Sequence, residues 1–218
     1  MDIREALYTT RAMRRVKPDP IPEDVIARIL DAAIRAPSGG NAQNWRFLVV
    51  DDAAVKGRLG EVYRGCMEVL WSTIYKDKIA AAEATSDDPE SIQWMKVKRS
   101  ADWLAENFET VPLFFFGFAQ GDPTGGSIFP AIWNAMLAAR AEGVGASLTS
   151  AFMLKLDEAL AILEVPPDEG WIFGACVSMG YPTGRWGVAP RRSATEVSYR
   201  NTWGSDVGIR IDGPLWKG

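Results

Sequence analysis

The sequence predicts an α+β fold in which helices cover a central, buried sheet. Helical and strand-like segments follow one another without strict alternation, and strict alternation would instead favour a parallel α/β sheet. The chain has 218 residues, of which 47% are hydrophobic, so one domain can bury a sizeable core. The most apolar run, residues 111–119, is about half as long as a membrane-spanning helix and is best interpreted as a buried strand.

The first part of the chain is mainly helical in pattern. Residues 2–11 predict a short helix. A second helix is predicted to open at Pro22, which suits a first helical position, and to end at Pro37. A Gly-rich turn and a strand at residues 46–50 are expected to follow.

The middle and the second half mix helices with strands. Asp51 and Asp52 can cap a third helix, and the charged, Trp-bearing stretch 72–108 is interpreted as an excursion of one or two helices. Past residue 180 the chain is rich in Gly, Pro and Arg, so it is expected to form an arm that lies on another surface. The remaining predicted elements are strands at residues 114–118, 146–150 and 171–179, and helices at residues 128–142 and 156–163.

Composition excludes several classes of function. The net charge of -4 provides no basic field that would attract nucleic acid or anionic lipid. The first residues lack the apolar core of a signal peptide, and two cysteines imply neither a disulfide framework nor a thiolate metal cluster, so a cytoplasmic protein is expected. The absence of histidine excludes Ser-His-Asp catalysis and His-ligated zinc. An enzyme of this composition would therefore rely naturally on an organic cofactor.

Four stretches carry residues that suit a bound ligand. Residues 10–15 contain three arginines that can grip a phosphate, although a solvated basic patch is the simpler interpretation. Residues 36–45 place Ser, Asn and Gln beside two glycines and a Trp, whereas a plain turn would explain only the glycines. Residues 143–150 contain Gly-x-Gly without the third glycine of a dinucleotide motif. Residues 190–197 carry a basic pair that also fits a surface arm.

Together, and in this order, these stretches resemble the nitroreductase family of FMN enzymes over most of residues 2–51 and 111–198. The matching patterns are Arg-x-x-Arg at residues 11–14, Ala-Pro-Ser-Gly-Gly-Asn-x-Gln-x-Trp at 36–45, Leu-Ala-Ala-Arg-Ala-x-Gly-x-Gly at 137–145, Leu-Thr-Ser at 148–150, and Arg before Glu-Val in the tail.

The resemblance implies a nitroreductase-like fold, with a mostly antiparallel central sheet flanked by helices. It also implies a homodimer with a domain-swapped C-terminal arm and with active sites at the subunit interface. Residues 1–218 would then be a single FMN-binding domain, with a variable helical lid at about residues 71–108 and the arm at about residues 184–218.

The resemblance further assigns FMN-binding roles to arginines of this sequence. Arg11 and Arg192 would hold the phosphate, with Arg191 as a companion. Arg14 would lie near the N1 and O2 edge of the ring, where a cation raises the reduction potential. The family usually has Ser where this chain has Ala12, so one phosphate contact is expected to be lost.

Two further segments are assigned to the flavin ring by the same resemblance. The turn that in relatives reaches the flavin from the other subunit is matched by Pro37, Ser38, Gly39 and Asn41. The segment beside the ring, with a backbone N–H near its end facing flavin N5, is matched by Leu148, Thr149 and Ser150.

The chemistry that the resemblance implies is ping-pong. NAD(P)H would give hydride to flavin N5 and leave, after which an electron-poor acceptor such as a nitroaromatic, a quinone or an activated alkene would be reduced. No side chain is assigned as catalytic. The lid aromatics Trp71, Tyr75, Trp94 and Trp103 would either stack on a flat substrate or simply pack.

Two alternatives stay open. One is a specialised flavin reaction on the same fold, either reductive dehalogenation or fragmentation of flavin to make a vitamin B12 ligand. Dehalogenation of the iodotyrosine type would need a Glu-Tyr-Lys set in the lid, and here no Glu precedes Tyr75 and Lys76 directly. The other alternative is a non-enzymatic protein that stores or senses FMN.

Overall fold

In the computed structural model, which describes residues 1–216, the chain forms two compact units. The larger unit spans residues 12–184 and contains the sheet, and the smaller one joins residues 1–11 to residues 185–216. The last two residues of the predicted arm, 217 and 218, lie outside the described residues. The helices are α1 (Ile3–Thr9), α2 (Glu23–Ala33), α3 (Ala53–Val69), α4 (Lys76–Ala84), α5 (Pro89–Glu106), α6 (Ile128–Ala141) and α7 (Leu156–Ile162). The strands are β1 (Trp45–Val50), β2 (Leu113–Ala119), β3 (Gly145–Thr149) and β4 (Ile172–Gly180).

The four strands form one antiparallel sheet in the order β1-β2-β4-β3. Trp45 at the start of β1 pairs with Ala119, and Thr149 at the end of β3 pairs with Cys176. The start of β1 and the end of β3 therefore point to the same end of the sheet but lie on its two opposite edges. The predicted α+β fold with an antiparallel, helix-covered sheet is confirmed.

The two faces of the sheet are buried under different layers. Because side chains alternate along a strand, Phe115 of β2 faces one layer while Phe114 and Phe116 face the other. The first layer contains α2 and α6, and we call it the alanine-rich face after its buried residues Ala131, Ala135 and Ala139. The second contains α3 and α5, and we call it the aromatic face after its buried residues Phe108, Phe114, Phe116 and Phe152.

The predicted strands and most predicted helices agree with the structure within about two residues; helix α2 begins one residue later than predicted and ends four residues before Pro37. Pro22 has an extended backbone (φ -59°, ψ 145°) and precedes the helix, which begins at Glu23. The helix ends at Ala33 and not at Pro37, because residues 34–36 tighten into a turn in which Ala36 N donates to Ala33 O at 3.3 Å. A proline disfavours helical backbone in the residue before it.

Side chains cap the helices that follow the two aspartate pairs of the sequence. The carboxylate of Asp52 accepts a hydrogen bond from Val55 N at 2.9 Å at the start of α3. Asp88 caps α5 in the same manner, so the stretch predicted as an excursion contains two helices, α4 and α5. Within residues 1–216, none of the helices is long and apolar enough to cross a membrane.

Candidate functional site

Arg14 is held at the edge of the sheet by the backbone on either side of it. Met13 N donates to Ala146 O of β3 at 3.0 Å, and Thr183 N donates to Arg15 O at 3.1 Å. Met13 therefore lies beside β3, and residues 15–17 lie beside residues 181–183, which follow β4. This arrangement fixes the backbone of Arg14 beside β3.

The guanidinium of Arg14 is half-buried and has no acidic partner within residues 1–216. Its burial lowers its pKa from the ordinary value, and the nearby Tyr63 opposes this effect. Among the described residues no carboxylate contributes to the shift or forms an ion pair with Arg14. Because a buried charge is costly unless it is paired, the site favours an anionic or electron-rich group beside Arg14.

Tyr63 connects helix α3 to the end of β3. Its phenol is buried and donates a hydrogen bond to Thr149 Oγ1 at 3.4 Å. Burial raises the pKa of Tyr63 to about 12, so the phenol stays protonated at neutral pH. Tyr63 and Thr149 therefore form a polar pair at the end of β3.

The end of β3 is open, in contrast to its beginning. The first three residues of the strand are buried, but Leu148 is 38% exposed, Thr149 is half-buried and Ser150 is exposed. The structure thus brings Arg14 and residues 148–150, two of the segments predicted to meet the flavin ring, to one accessible part of the sheet edge.

The turn at residues 37–41 is exposed but well braced. Ser38 Oγ accepts a hydrogen bond from Gln43 N at 3.1 Å, and Gly39 N donates to Ser127 Oγ at 3.3 Å. Asn41 has a φ of +54°, in the left-handed region that Asn tolerates better than most residues. The bracing keeps polar groups of the turn presented to the surface.

A single chain does not bring this turn to residues 148–150. The turn precedes β1 on one edge of the sheet, and β3 forms the other edge, with β2 and β4 between them. Adjacent strands lie about 4.8 Å apart, so the two edges are separated by about 14 Å. The two predicted halves of the ring site are thus on opposite edges of one protomer.

The smaller unit contains the predicted tail cations. Arg191 and Arg192 line a cavity of about 570 Å³ together with Thr10, Ser193, Asp212 and mostly apolar residues, whereas Arg11 is exposed and is not part of its lining. The hydroxyl of Thr10 is buried and has no hydrogen-bond partner within the described residues. The two cations and the unsatisfied hydroxyl are donors of the kind that bind a phosphate, and the Asp212 carboxylate of the same lining is paired with Arg210 at 2.9 Å. Ala12, which belongs to the larger unit, is exposed and has no donor to add.

The lid aromatics pack on one another in the described chain. The ring centroids of Trp71 and Tyr75 are 5.8 Å apart, and those of Tyr75 and Trp94 are 5.4 Å apart. Trp71 Nε1 donates to Asp102 at 2.7 Å. These residues were expected either to stack on a flat substrate or simply to pack, and the contacts in the structure are those of packing.

Sequence reasoning missed Tyr63 as a site residue. It lies among the buried residues of the apolar stripe of α3, where it is indistinguishable from core packing. The available signal was its hydroxyl, because a buried tyrosine usually finds a hydrogen-bond partner.

Comparison with known proteins agrees with this geometry. The nitroreductase family matches the chain over residues 7–181. A 5,6-dimethylbenzimidazole synthase of Rhodospirillum rubrum is 31% identical over 193 residues, which cover 82% of this chain and 81% of the synthase.

Two solved structures have the same fold. Oxidized iodotyrosine deiodinase bound to FMN and 3-iodo-L-tyrosine superposes with a TM-score of 0.72 at 21% identity, covering 91% of this chain and 98% of that one. The FMN-dependent nitroreductase NfnB from Mycobacterium smegmatis in complex with NADPH superposes with a TM-score of 0.66, also at 21% identity, covering 91% and 96%. Since the family match spans most of the chain, this protein belongs to the nitroreductase family.

Proposed function

We propose that this protein is an FMN-dependent oxidoreductase that passes hydride from NAD(P)H through flavin N5 to an electron-poor acceptor, such as a nitroaromatic, a quinone or an activated alkene. The observation that carries the proposal is the half-buried guanidinium of Arg14, which follows the β3-bonded Met13 and has no acidic partner in the part of the chain that the structure describes. Structures of the same fold that hold FMN or NADPH support it.

The residues of this chain would bind and orient the cofactor. Arg14 would lie at the N1 and O2 edge of the ring, where its charge stabilises the negative charge of the reduced flavin. Residues 148–150 would border N5 and offer a backbone N–H near Ser150. Arg11, Arg191 and Arg192 would hold the phosphate by charge-assisted hydrogen bonds.

A homodimer would complete this site. The braced turn at residues 37–41 lies on the sheet edge opposite to residues 148–150, so the turn of one copy would serve the flavin of the other. The tail from residue 184 would act as the swapped arm, and residues 71–108 as the lid. The arm carries large exposed aromatic surface, with Trp203 92% and Tyr199 47% exposed, and a partner subunit would cover it.

A second candidate is a specialised flavin reaction at the same site. The chain is 31% identical to a 5,6-dimethylbenzimidazole synthase along most of both chains, which favours flavin fragmentation. Dehalogenation is less well supported, because the lid has no Glu directly before Tyr75 and Lys76. In that case the bound flavin itself would be consumed in the presence of oxygen, and a separate acceptor would not be needed.

The experiment that tests the proposal is an anaerobic absorbance spectrum of the purified protein, recorded after adding NADH, then NADPH, then a nitroaromatic. Flavin bands that bleach with a nicotinamide and return with the acceptor are the expected result. Bands that never bleach would favour FMN storage, and bands that disappear irreversibly in oxygen would favour flavin fragmentation. A colourless protein that takes up no added FMN would contradict the proposal.

Arg14 can be tested separately with a matched control. Arg14→Met removes the charge and keeps most of the aliphatic length, so the FMN dissociation constant is expected to rise roughly 10- to 100-fold, as for loss of a charge-assisted hydrogen bond. Arg15→Met, at the exposed neighbouring position, should leave the constant nearly unchanged. Equal effects of the two substitutions in a fluorescence titration would argue against a specific role for Arg14.

A further inference from the structure

We propose that Tyr63 is a positioning residue, whose buried phenol holds the Thr149 hydroxyl in the place from which it would contact the flavin. The inference rests on the proposed function, because it concerns the same site. It adds a residue that would contact neither the cofactor nor a substrate but would act through one that does.

The hydrogen bonds around Thr149 give the first argument. Its Oγ1 accepts one bond from the Tyr63 phenol at 3.4 Å and a second from Ala151 N at 3.2 Å. A hydroxyl oxygen has two lone pairs, so both acceptor positions are used. The Thr149 hydroxyl is then left as a donor only, and Tyr63 thereby determines the direction of its proton.

The burial of the phenol gives the second argument. Tyr63 is 2% exposed, and burial raises its pKa to about 12. The phenol therefore stays protonated at neutral pH and remains able to donate its hydrogen bond to Thr149.

The packing of the Tyr63 ring gives the third argument. The ring lies 5.0 Å from the centroid of Phe108 and 5.3 Å from that of Phe152. Phe152 is fully buried and follows Ser150 by two residues, so the same side chain that bonds to Thr149 also braces the chain just beyond it. Since this packing belongs to the ring and not to the oxygen, Tyr63→Phe separates the hydroxyl from the core.

The experiment compares Tyr63→Phe, Thr149→Val and the double variant with the wild type. The readouts are the FMN dissociation constant of the apoprotein, the midpoint potential of the bound flavin, and the rate of anaerobic reduction by NAD(P)H. Tyr63→Phe is expected to weaken FMN binding about fivefold, the loss typical of one neutral hydrogen bond, and to make the midpoint potential more negative. The two substitutions are expected to be non-additive, because they break one shared interaction.

Ser178→Ala is the matched control for a merely structural effect. Its buried hydroxyl donates to Ser147 O at 3.4 Å, so it also links a neighbouring element to β3, two residues before Thr149. This variant is expected to lose some stability towards urea while its flavin potential and FMN affinity stay at the wild-type values.

The outcomes separate the inference from the function on which it rests. A Tyr63→Phe protein that binds FMN with unchanged affinity and potential would overturn the positioning role, while the wild-type spectra still supported an FMN oxidoreductase. A potential shift of equal size in Ser178→Ala would also overturn it. If the wild type itself takes up no FMN, the proposed function fails, and this inference fails with it.

Discussion

The two faces of the sheet are equally buried but are built from different residues. On the alanine-rich face, α6 approaches the strands closely because Ala131, Ala135 and Ala139 are small and fully buried. On the aromatic face, large rings fill the layer, and Phe108 stacks on Phe114 with centroids 4.0 Å apart. The Tyr63–Thr149 hydrogen bond belongs to the aromatic face, because the Tyr63 ring packs there against Phe108 and Phe152. The difference suggests that one face holds the fold together while the other also shapes the site.

The largest expected effect comes from removing one ring from each face. Phe115 and Phe116 are adjacent, fully buried and directed to opposite faces. Phe→Ala at either position is expected to lower the free energy of unfolding by about 3–5 kcal/mol, measured by urea denaturation. Only Phe116→Ala is expected to weaken FMN binding as well, because its ring lies 5.7 Å from Phe152, which packs on Tyr63. Equal losses of FMN affinity in both variants would mean that the aromatic face has no special part in shaping the site.

Overpacking should harm the alanine-rich face next. Ala135→Leu adds three carbon atoms where α6 meets the strands and is expected to cost about 1–3 kcal/mol of unfolding free energy. Ala141→Leu, at an exposed position of the same helix, is the control and should change stability little. If Ala135→Leu were neutral in thermal and urea unfolding, the close approach of α6 would not depend on small residues.

A smaller effect is expected at the helix starts. Helix α3, which covers the aromatic face, is capped by the Asp52 carboxylate, whereas α2, which covers the alanine-rich face, begins after Pro22 without a side-chain hydrogen bond. Asp52→Ala is expected to cost about 1 kcal/mol in urea unfolding, and Asp52→Asn, which keeps an acceptor, should restore most of this loss. An equally destabilised Asp52→Asn protein would mean that charge, and not capping, matters there.

The smallest effect is a loss of folding stability at alkaline pH, which is not expected at neutral pH. It should arise from two buried thiols of the aromatic face. Burial raises the pKa of the Cys66 thiol from 9.0 to about 11 and raises that of Cys176 well above its ordinary value. Because folding favours the protonated thiols, their contribution is fully present below pH 9 and is lost as the pH rises towards 11. Urea unfolding at several pH values should show this decline, and Cys66→Ala should make it shallower. If unfolding free energy declined equally steeply with pH in the wild type and in Cys66→Ala, the Cys66 thiol would not be the cause.

Much of the fold could be predicted from the sequence, because strands and helices produce recognisable patterns of neighbouring residues. The continuous apolar run of β2 reflects a strand buried on both faces, and Asp52 and Asp88 mark helix starts by a local hydrogen bond. The end of α2 could not be predicted from Pro37 alone, since the chain leaves the helix three residues before the proline constrains it.

The candidate site was only partly visible in the sequence. The segments at residues 37–41 and 148–150 stand out by their motifs, but the strand order that separates them is a property of the whole sheet. Tyr63 could not be recognised because its position in the α3 stripe is that of a core residue, and only its bond to Thr149 shows otherwise. Local patterns predict elements well, whereas contacts between distant segments require the fold.

The bonds that secure the backbone around Arg14 also set the order in which this part of the protein can be completed during synthesis. Thr183 bonds to Arg15 across a separation of 168 residues. At a translation rate of about 5–20 residues per second, the early arginines would leave the ribosome roughly 10–30 s before their partner. Until then, Arg15 and Lys17 lack their partners in residues 181–183, and the segment is attached to β3 through the bond from Met13 N to Ala146 O, so the edge of β3 is less well covered and can pair with another strand. The nascent chain should therefore be most prone to aggregation, and most dependent on chaperones, when β3 has emerged but residue 183 has not.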